Sequence, residues 1–354
     1  MLGLGTFGDV TLDETGARKP HDQVLRDVVE EAVLADAVGV DFIGLGEHHR
    51  IDFAISAPEV ILAAIAARTT RIRMGSAVTV LSSDDPVRVF QRFSTLNALS
   101  GGRAEAILGR GSFTESFPLF GLDLDDYDQL FEEKVDLFAR LLREDEITWT
   151  GQTRPALNRQ RVFPTLGPGG LAAWIGVGGS PESVVRAVRH RLPMMLAIIG
   201  GDPARFRPYV ELYARVSAQM ETPLLPVGVH SPGHVAPTDA QAREEIFPHH
   251  KGLYDQIGGE RGWPPLTPER FIAEVEHGSL YVGAPETVAR KIAQTVEVLG
   301  LARFDMKYSS GTLPHAAMMR SIGLYGTEVM PMVHEMLAKA EVPAKVEVQA
   351  SGQV

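Results

Sequence analysis

The chain contains no cysteine. Disulfides, thiolate metal sites and cysteine nucleophiles are therefore excluded, and a cytoplasmic protein is expected. Positive charge is in deficit: 34 Lys and Arg stand against 45 Asp and Glu, a formal net charge of −11. Nucleic acid and anionic membrane surfaces repel such a chain, so neither is expected as a partner. Hydrophobic length is missing too. No run of about 18 apolar residues occurs, and MLGLGTFGDV at the start has no basic segment and no long apolar stretch. Neither a membrane span nor a secretory signal is expected.

What is present is a regular alternation. The 354 residues are 44% hydrophobic and 22% charged, ordinary for a folded protein. Leu2–Gly5 reads as a first strand, and apolar spacing from about Asp22 predicts a helix ended by Gly39. Strands follow at 40–45 and from Ile72 (IRMGSAVTV), with helices near Pro58 and from Pro86, the latter stopped by Ser100-Gly101-Gly102. Residues 103–109 form a fourth strand, before a helix over about 125–143 and an irregular Pro/Gly-rich stretch over about 150–170. AAWIGVG and LPMMLAIIG are the fifth and sixth strands, followed by helices SPESVVRAVRHR and PARFRPYVELYARVSAQM; LLPVGVH is the seventh. A polar excursion over about 231–300, with helical stretches and a short YVG segment, precedes RFDMKY (303–308), and a helix from Pro314 closes the series. Eight such units predict an α/β fold, a (β/α)8 TIM barrel with insertions over residues 1–342; an open doubly wound sheet is the alternative. Residues 343–354 read as a flexible tail.

In such a barrel the reacting groups sit just past the strands. Glu47-His48-His49 follows the second strand, and imidazole is suited to proton transfer near neutral pH. Neighbours on an extended chain point to opposite faces, so His48 and His49 should not share a metal ion. Arg110 lies between Gly109 and Gly111, before Ser112, where small neighbours let an anion approach the guanidinium. Gly178-Gly179-Ser180-Pro181-Glu182-Ser183 leads into a helix with Ser180 as cap and Pro181 at its first position. Free N–H groups and Ser hydroxyls there make an anion site, from which Glu182 should point away. Gly75-Ser76-Ala77-Val78 is a run of small residues against which a flat ring could lie. Ordinary turns, caps and core packing would also account for each of these. Gly3-Leu4-Gly5-Thr6-Phe7-Gly8 matches G-x-G-x-x-G, but too little strand precedes it and no helix opens on it, so it is not read as a dinucleotide site. His230 and His234, flanking Pro232-Gly233 after the seventh strand, are placed at the pocket mouth.

GLGEHH, RIRMGSAVTVL, LSGGRAEAILGRGS and GGSPESVVRAVRHRLPMML, in this order, resemble the bacterial-luciferase-like flavin-dependent monooxygenases over about Gly3 to Met336. IIGGDPARF and FDMKYSSGTLPHAAMMRSIGLYGTEV resemble their FMN-dependent subgroup. The resemblance implies reduced FMN from a separate flavin reductase, dioxygen, a small organic substrate and a homodimer joined by the helices after the second and third strands. His48 would be the catalytic histidine. Ser76, Ala77 and Val78 would support the isoalloxazine, on a strand that often carries a non-proline cis peptide in the family. Arg110, Gly178, Gly179, Ser180 and Ser183 would hold the phosphate. Gly179 departs from luciferase itself, which has an acid there. The alternatives are hydride transfer with F420, a metal-dependent hydrolase at His48–His49, and a non-catalytic flavin binder.

Overall fold

The computed structural model describes residues 1–111 and 113–341; the expected tail, 343–354, and Ser112 lie outside the described residues. Eight parallel strands close a barrel: β1 (Leu2–Thr6), β2 (Phe42–Leu45), β3 (Arg73–Ser76), β4 (Ala104–Gly109), β5 (Ala172–Val177), β6 (Met194–Ala197), β7 (Val227–Val235) and β8 (Arg303–Lys307). Closure is made by β8, which pairs with β1 on one side and β7 on the other. The open sheet is thereby excluded. Eight helices cover the outside: α1 (His21–Ala37), α2 (Pro58–Arg68), α3 (Pro86–Leu99), α4 (Tyr127–Leu141), α5 (Pro181–Arg189), α6 (Arg207–Gln219), α7 (Pro285–Leu299) and α8 (His315–Leu324). No helix among the described residues is long and apolar enough to cross a membrane.

The strands are short apolar runs because both faces are covered. Leu4, Ile43, Met74, Leu108, Ile175, Leu196, Val229 and Phe304 are buried in the main core. Each such side chain contributes about 1.5–3 kcal/mol. Local signals set the helix starts. Asp85 accepts from the N–H groups of Val87 and Arg88, with Pro86 at the first position of α3. Asp36, at the end of α1, accepts from the N–H groups of Thr70, Arg71 and Ile72 and so anchors the entry to β3.

Three expectations need revision. The third strand does not run on to Val80: it stops at Ser76, and Thr79–Val80 pairs with β4 instead, beyond a cis peptide at Ala77–Val78. Residues 150–170 are not wholly irregular, since Leu157–Gln160 pairs with Ile147–Trp149 as an antiparallel hairpin. Strand β7 continues past His230 to Val235 because its far end pairs with Tyr281–Gly283, which puts His234 on the strand rather than after it. The 231–300 excursion holds the helical stretches expected of it, Asp239–Arg261 and Pro268–Glu276 as well as α7, and its YVG segment is the strand Tyr281–Gly283.

The amino-terminal end of the barrel is closed by charge. Arg303 is 1% exposed and its Nε lies 2.9 Å from each Asp305 carboxylate oxygen. Its Nη1 donates to Glu105 at 2.6 Å, and its guanidinium lies 3.6 Å from the centre of the Phe42 ring. Arg73 holds the other Glu105 oxygen at 2.5 Å. Gly3 leaves room for this group, because a Cβ there would stand 2.2 Å from an Asp305 oxygen.

Candidate active site

The opposite end carries the residues singled out above. His48 follows β2, and its backbone N–H donates to the Ile55 carbonyl at 2.8 Å. Its ring lies among aromatic rings, 4.3 Å from Phe7, 4.6 Å from Phe53 and 5.3 Å from Phe113 between centroids. Burial pushes its pKa down to about 4, and its Nδ1 has no hydrogen-bond partner. Glu47 and His49 turn to each other instead, at 3.0 Å, and the second Glu47 oxygen accepts from the Val80 N–H at 2.8 Å. Among the described residues no three of His, Asp and Glu converge as metal ligands.

The Ala77–Val78 segment crosses the mouth beside them. Val78 fills space left by two glycines: a Cβ on Gly109 would stand 2.6 Å from the Val78 side chain, and one on Gly176 would stand 3.1 Å away. Ser76 is fully buried, and its hydroxyl donates to the Ile107 carbonyl at 3.1 Å while the Ile107 N–H approaches it at 3.2 Å. It therefore ties β3 to β4, whereas Ala77 and Val78 beyond it are half-buried.

Arg110 and the start of α5 face one cleft of about 560 Å³, lined also by Asp128, Glu132, Arg186 and Arg189. Arg110 pairs with Asp128 at 2.7 Å. Ser180 caps α5, accepting from the Ser183 N–H at 3.3 Å, and the two hydroxyls are 2.9 Å apart. Gly179 has φ +107°, a conformation in which other side chains are strained, and its carbonyl accepts from the Tyr209 hydroxyl at 2.6 Å. A Cβ on Gly178 would meet nothing within 4 Å, so this edge is open to a ligand. Glu182, expected to point away, is among the lining residues.

Several residues escaped the sequence reading. Arg186 donates to Ser183 at 3.2 Å and to Glu132 at 2.5 Å, one helical turn beyond the cap; its spacing from Ser183 was the available signal. Phe7 and Lys307 had none. Lys307 is buried, bonded to Asp9 at 3.0 Å and Ser309, and lies 4.5 Å from the Phe7 ring centre. His230 is 9% exposed and its Nε2 has no partner. Its ring stacks at 8° on Phe7, and burial beside Lys307 and Arg303 pushes its pKa down to about 3. His234 pairs with Glu245 at 2.8 Å, away from this cluster. Arg50 joins three segments above His48: it binds Glu115 and Asp52, and donates to Glu260 at 2.6 Å. Phe113 lies between Arg50 and Arg261, at 4.7 and 4.9 Å.

A barrel with this furnished mouth agrees with the comparisons to known proteins. Residues 6–303 match the model of the luciferase-like monooxygenase family, and the chain belongs to that family. It is an oxidoreductase of the monooxygenase type. The Sinorhizobium fredii protein y4wF, uncharacterised, is 28% identical over 94% of this chain and 97% of its own length. The oxygenating constituent of 3,6-diketocamphane monooxygenase from the CAM plasmid of Pseudomonas putida, in complex with FMN, superposes with a TM-score of 0.76 at 17% identity, over 94% of this chain and 98% of that one. An F420-dependent secondary alcohol dehydrogenase in complex with an F420-acetone adduct gives a TM-score of 0.71 at 16% identity, over 94% and 98%. At these identities the two structures speak for the fold alone.

Proposed function

We propose that this enzyme binds reduced FMN and uses dioxygen to oxygenate a small organic substrate. The observation that carries the reading is the convergence of Arg110, Arg186 and the capped start of α5 on one open cleft. Free N–H groups, two hydroxyls and guanidinium groups are the donor set that a phosphate takes. Three arginines there share the cleft with Asp128, Glu132 and Glu182, Arg110 pairing with Asp128 and Arg186 and Arg189 with Glu132. That balance suits one phosphate better than the polyanionic tail of F420, and so favours FMN.

When bound, the reduced flavin supplies the electrons that activate oxygen. The chain's own residues do the rest. Arg110 exchanges Asp128 for the phosphate, with Ser180, Ser183 and the Gly178–Gly179 turn around it. Ala77 and Val78 back the ring system, and Ser76 holds their strand in register. Phe7, Phe53 and Phe113 keep water from the reacting end. Burial keeps His48 neutral at pH 7, so it serves as a general acid or base with one ring nitrogen as donor and the other as acceptor. A homodimer in the cytoplasm, served by a separate flavin reductase, completes the proposal.

Anaerobic titration with reduced FMN and with reduced F420, followed by admission of oxygen, tests it. FMN binding that weakens at least tenfold in Arg110→Ala, with oxygen consumed after binding, is the expected result. His48→Ala should still bind FMN and lose substrate turnover. Binding of F420 alone would move the enzyme to hydride transfer.

A further inference from the structure

Two buried imidazoles near the mouth lack partners that buried polar atoms normally have. His48 Nδ1 and His230 Nε2 are both inaccessible and unbonded. They flank one ring, since Phe7 contacts His48 at 4.3 Å and stacks on His230 at 6.0 Å. His230 belongs to the barrel interior. A Cβ on Gly5 of β1 would stand 2.9 Å from its Cε1, across the intervening strand β8. The glycine thus makes room for an imidazole that is spent on no internal hydrogen bond.

The surroundings limit what these nitrogens can meet. The walls beside them are the flat rings of Phe7, Phe53 and Phe113. Charged groups nearby are tied to counter-charges, Lys307 to Asp9 and Arg50 to Asp52, Glu115 and Glu260. An anionic substrate would have to break one of these pairs. Both imidazoles are neutral at pH 7 and offer one donor and one acceptor each.

We infer that His48 and His230 form the polar end of the substrate pocket, and that this pocket takes an uncharged ring compound carrying a hydroxyl or carbonyl oxygen. The inference deepens the proposed function and rests on the reaction taking place beside His48. His230 is the residue that selects the oxygen substituent; the aromatic rings select the flat skeleton.

The test is equilibrium binding to the full-length protein at pH 7, read by fluorescence anisotropy of 2-naphthol and by competition with naphthalene-2-carboxylate and decanal. FMN is titrated in parallel on the same samples. The expected result is that 2-naphthol binds at least tenfold tighter than either competitor. His230→Leu should weaken it at least tenfold, and His230→Asn, which keeps a hydrogen-bonding group, should recover most of the loss. FMN affinity serves as the check that each variant is folded. Equal or tighter binding of the carboxylate or of decanal would overturn the inference, as would 2-naphthol affinity unchanged in His230→Leu, the outcome if only water meets that nitrogen. FMN binding without 2-naphthol binding would sink the pocket and leave the flavin reading standing. 2-Naphthol binding without FMN binding would do the reverse.

Discussion

The two ends of this barrel both bury polar groups, and they do so in opposite ways. At the amino-terminal end Arg303 uses its donors on Glu105 and Asp305, and Arg73 takes the remaining Glu105 oxygen. At the carboxy-terminal end Lys307, Asp9 and Ser309 are likewise matched, but His48 and His230 keep unpaired nitrogens beside them. A matched cluster holds one arrangement of strands. An unmatched one costs stability and leaves a donor or acceptor unspent. This division of labour is expected where strand ends and loops carry chemistry at one face only.

The comparison can be broken most forcefully at the closed end. Arg303→Met leaves the buried Asp305 carboxylate without its cation and Glu105 with Arg73 alone, and should cost about 3–5 kcal/mol. Urea denaturation measures it. The combined change Arg303→Met, Glu105→Leu and Asp305→Leu should recover most of that loss, since apolar replacements often match a buried ion cluster. If Arg303→Met alone proved neutral, the closed end would not be held by charge.

A middle-sized effect tests the open end. Unfolded imidazoles protonate near 6.5, whereas His48 and His250 do so at about 4 and His230 at about 3, all from burial. Between these values the unfolded chain holds more protons, so stability falls as pH drops from 6.5 toward 4. His230→Asn should lessen the loss between pH 7 and pH 5 by about 2 kcal/mol. Denaturation at the two pH values decides it; an unaltered slope would mean that His230 titrates normally.

The smallest expected effect lies at the cleft. Asp128 is 76% exposed where it pairs with Arg110, so the pair is worth under about 1 kcal/mol. Asp128→Asn should tighten FMN binding less than about fivefold, by calorimetric titration, with the gain fading in high salt. Weaker binding in the variant would show that Asp128 aids rather than opposes the phosphate.

The eight strands were legible because parallel strands covered on both faces appear as short apolar runs between amphipathic helices. His48, Arg110 and Ser180 were legible because each stands directly past a strand. Arg186 was not, since its value depends on one turn of α5 bringing it back to Ser183. The interruption at Ala77 was not legible in the pattern of IRMGSAVTV, a run that reads as one strand; only the family resemblance implied the cis peptide found there. His234 was displaced in the reading because Pro232-Gly233 looks like a turn, whereas β7 continues through it to pair with Tyr281–Gly283. Phe7 and Lys307 are adjacent only once β1 and β8 pair, a closure that local patterns do not encode.

The Arg50 junction has a consequence for anyone redesigning this enzyme. Loops of a barrel are commonly treated as interchangeable parts, each grafted without regard to the others. Here one guanidinium, from the segment after β2, grips Glu115 from the segment after β4 and Glu260 from the helix inserted after β7. A transplanted loop that lacks its acid would remove one arm of this junction, so these three segments should be exchanged as a set.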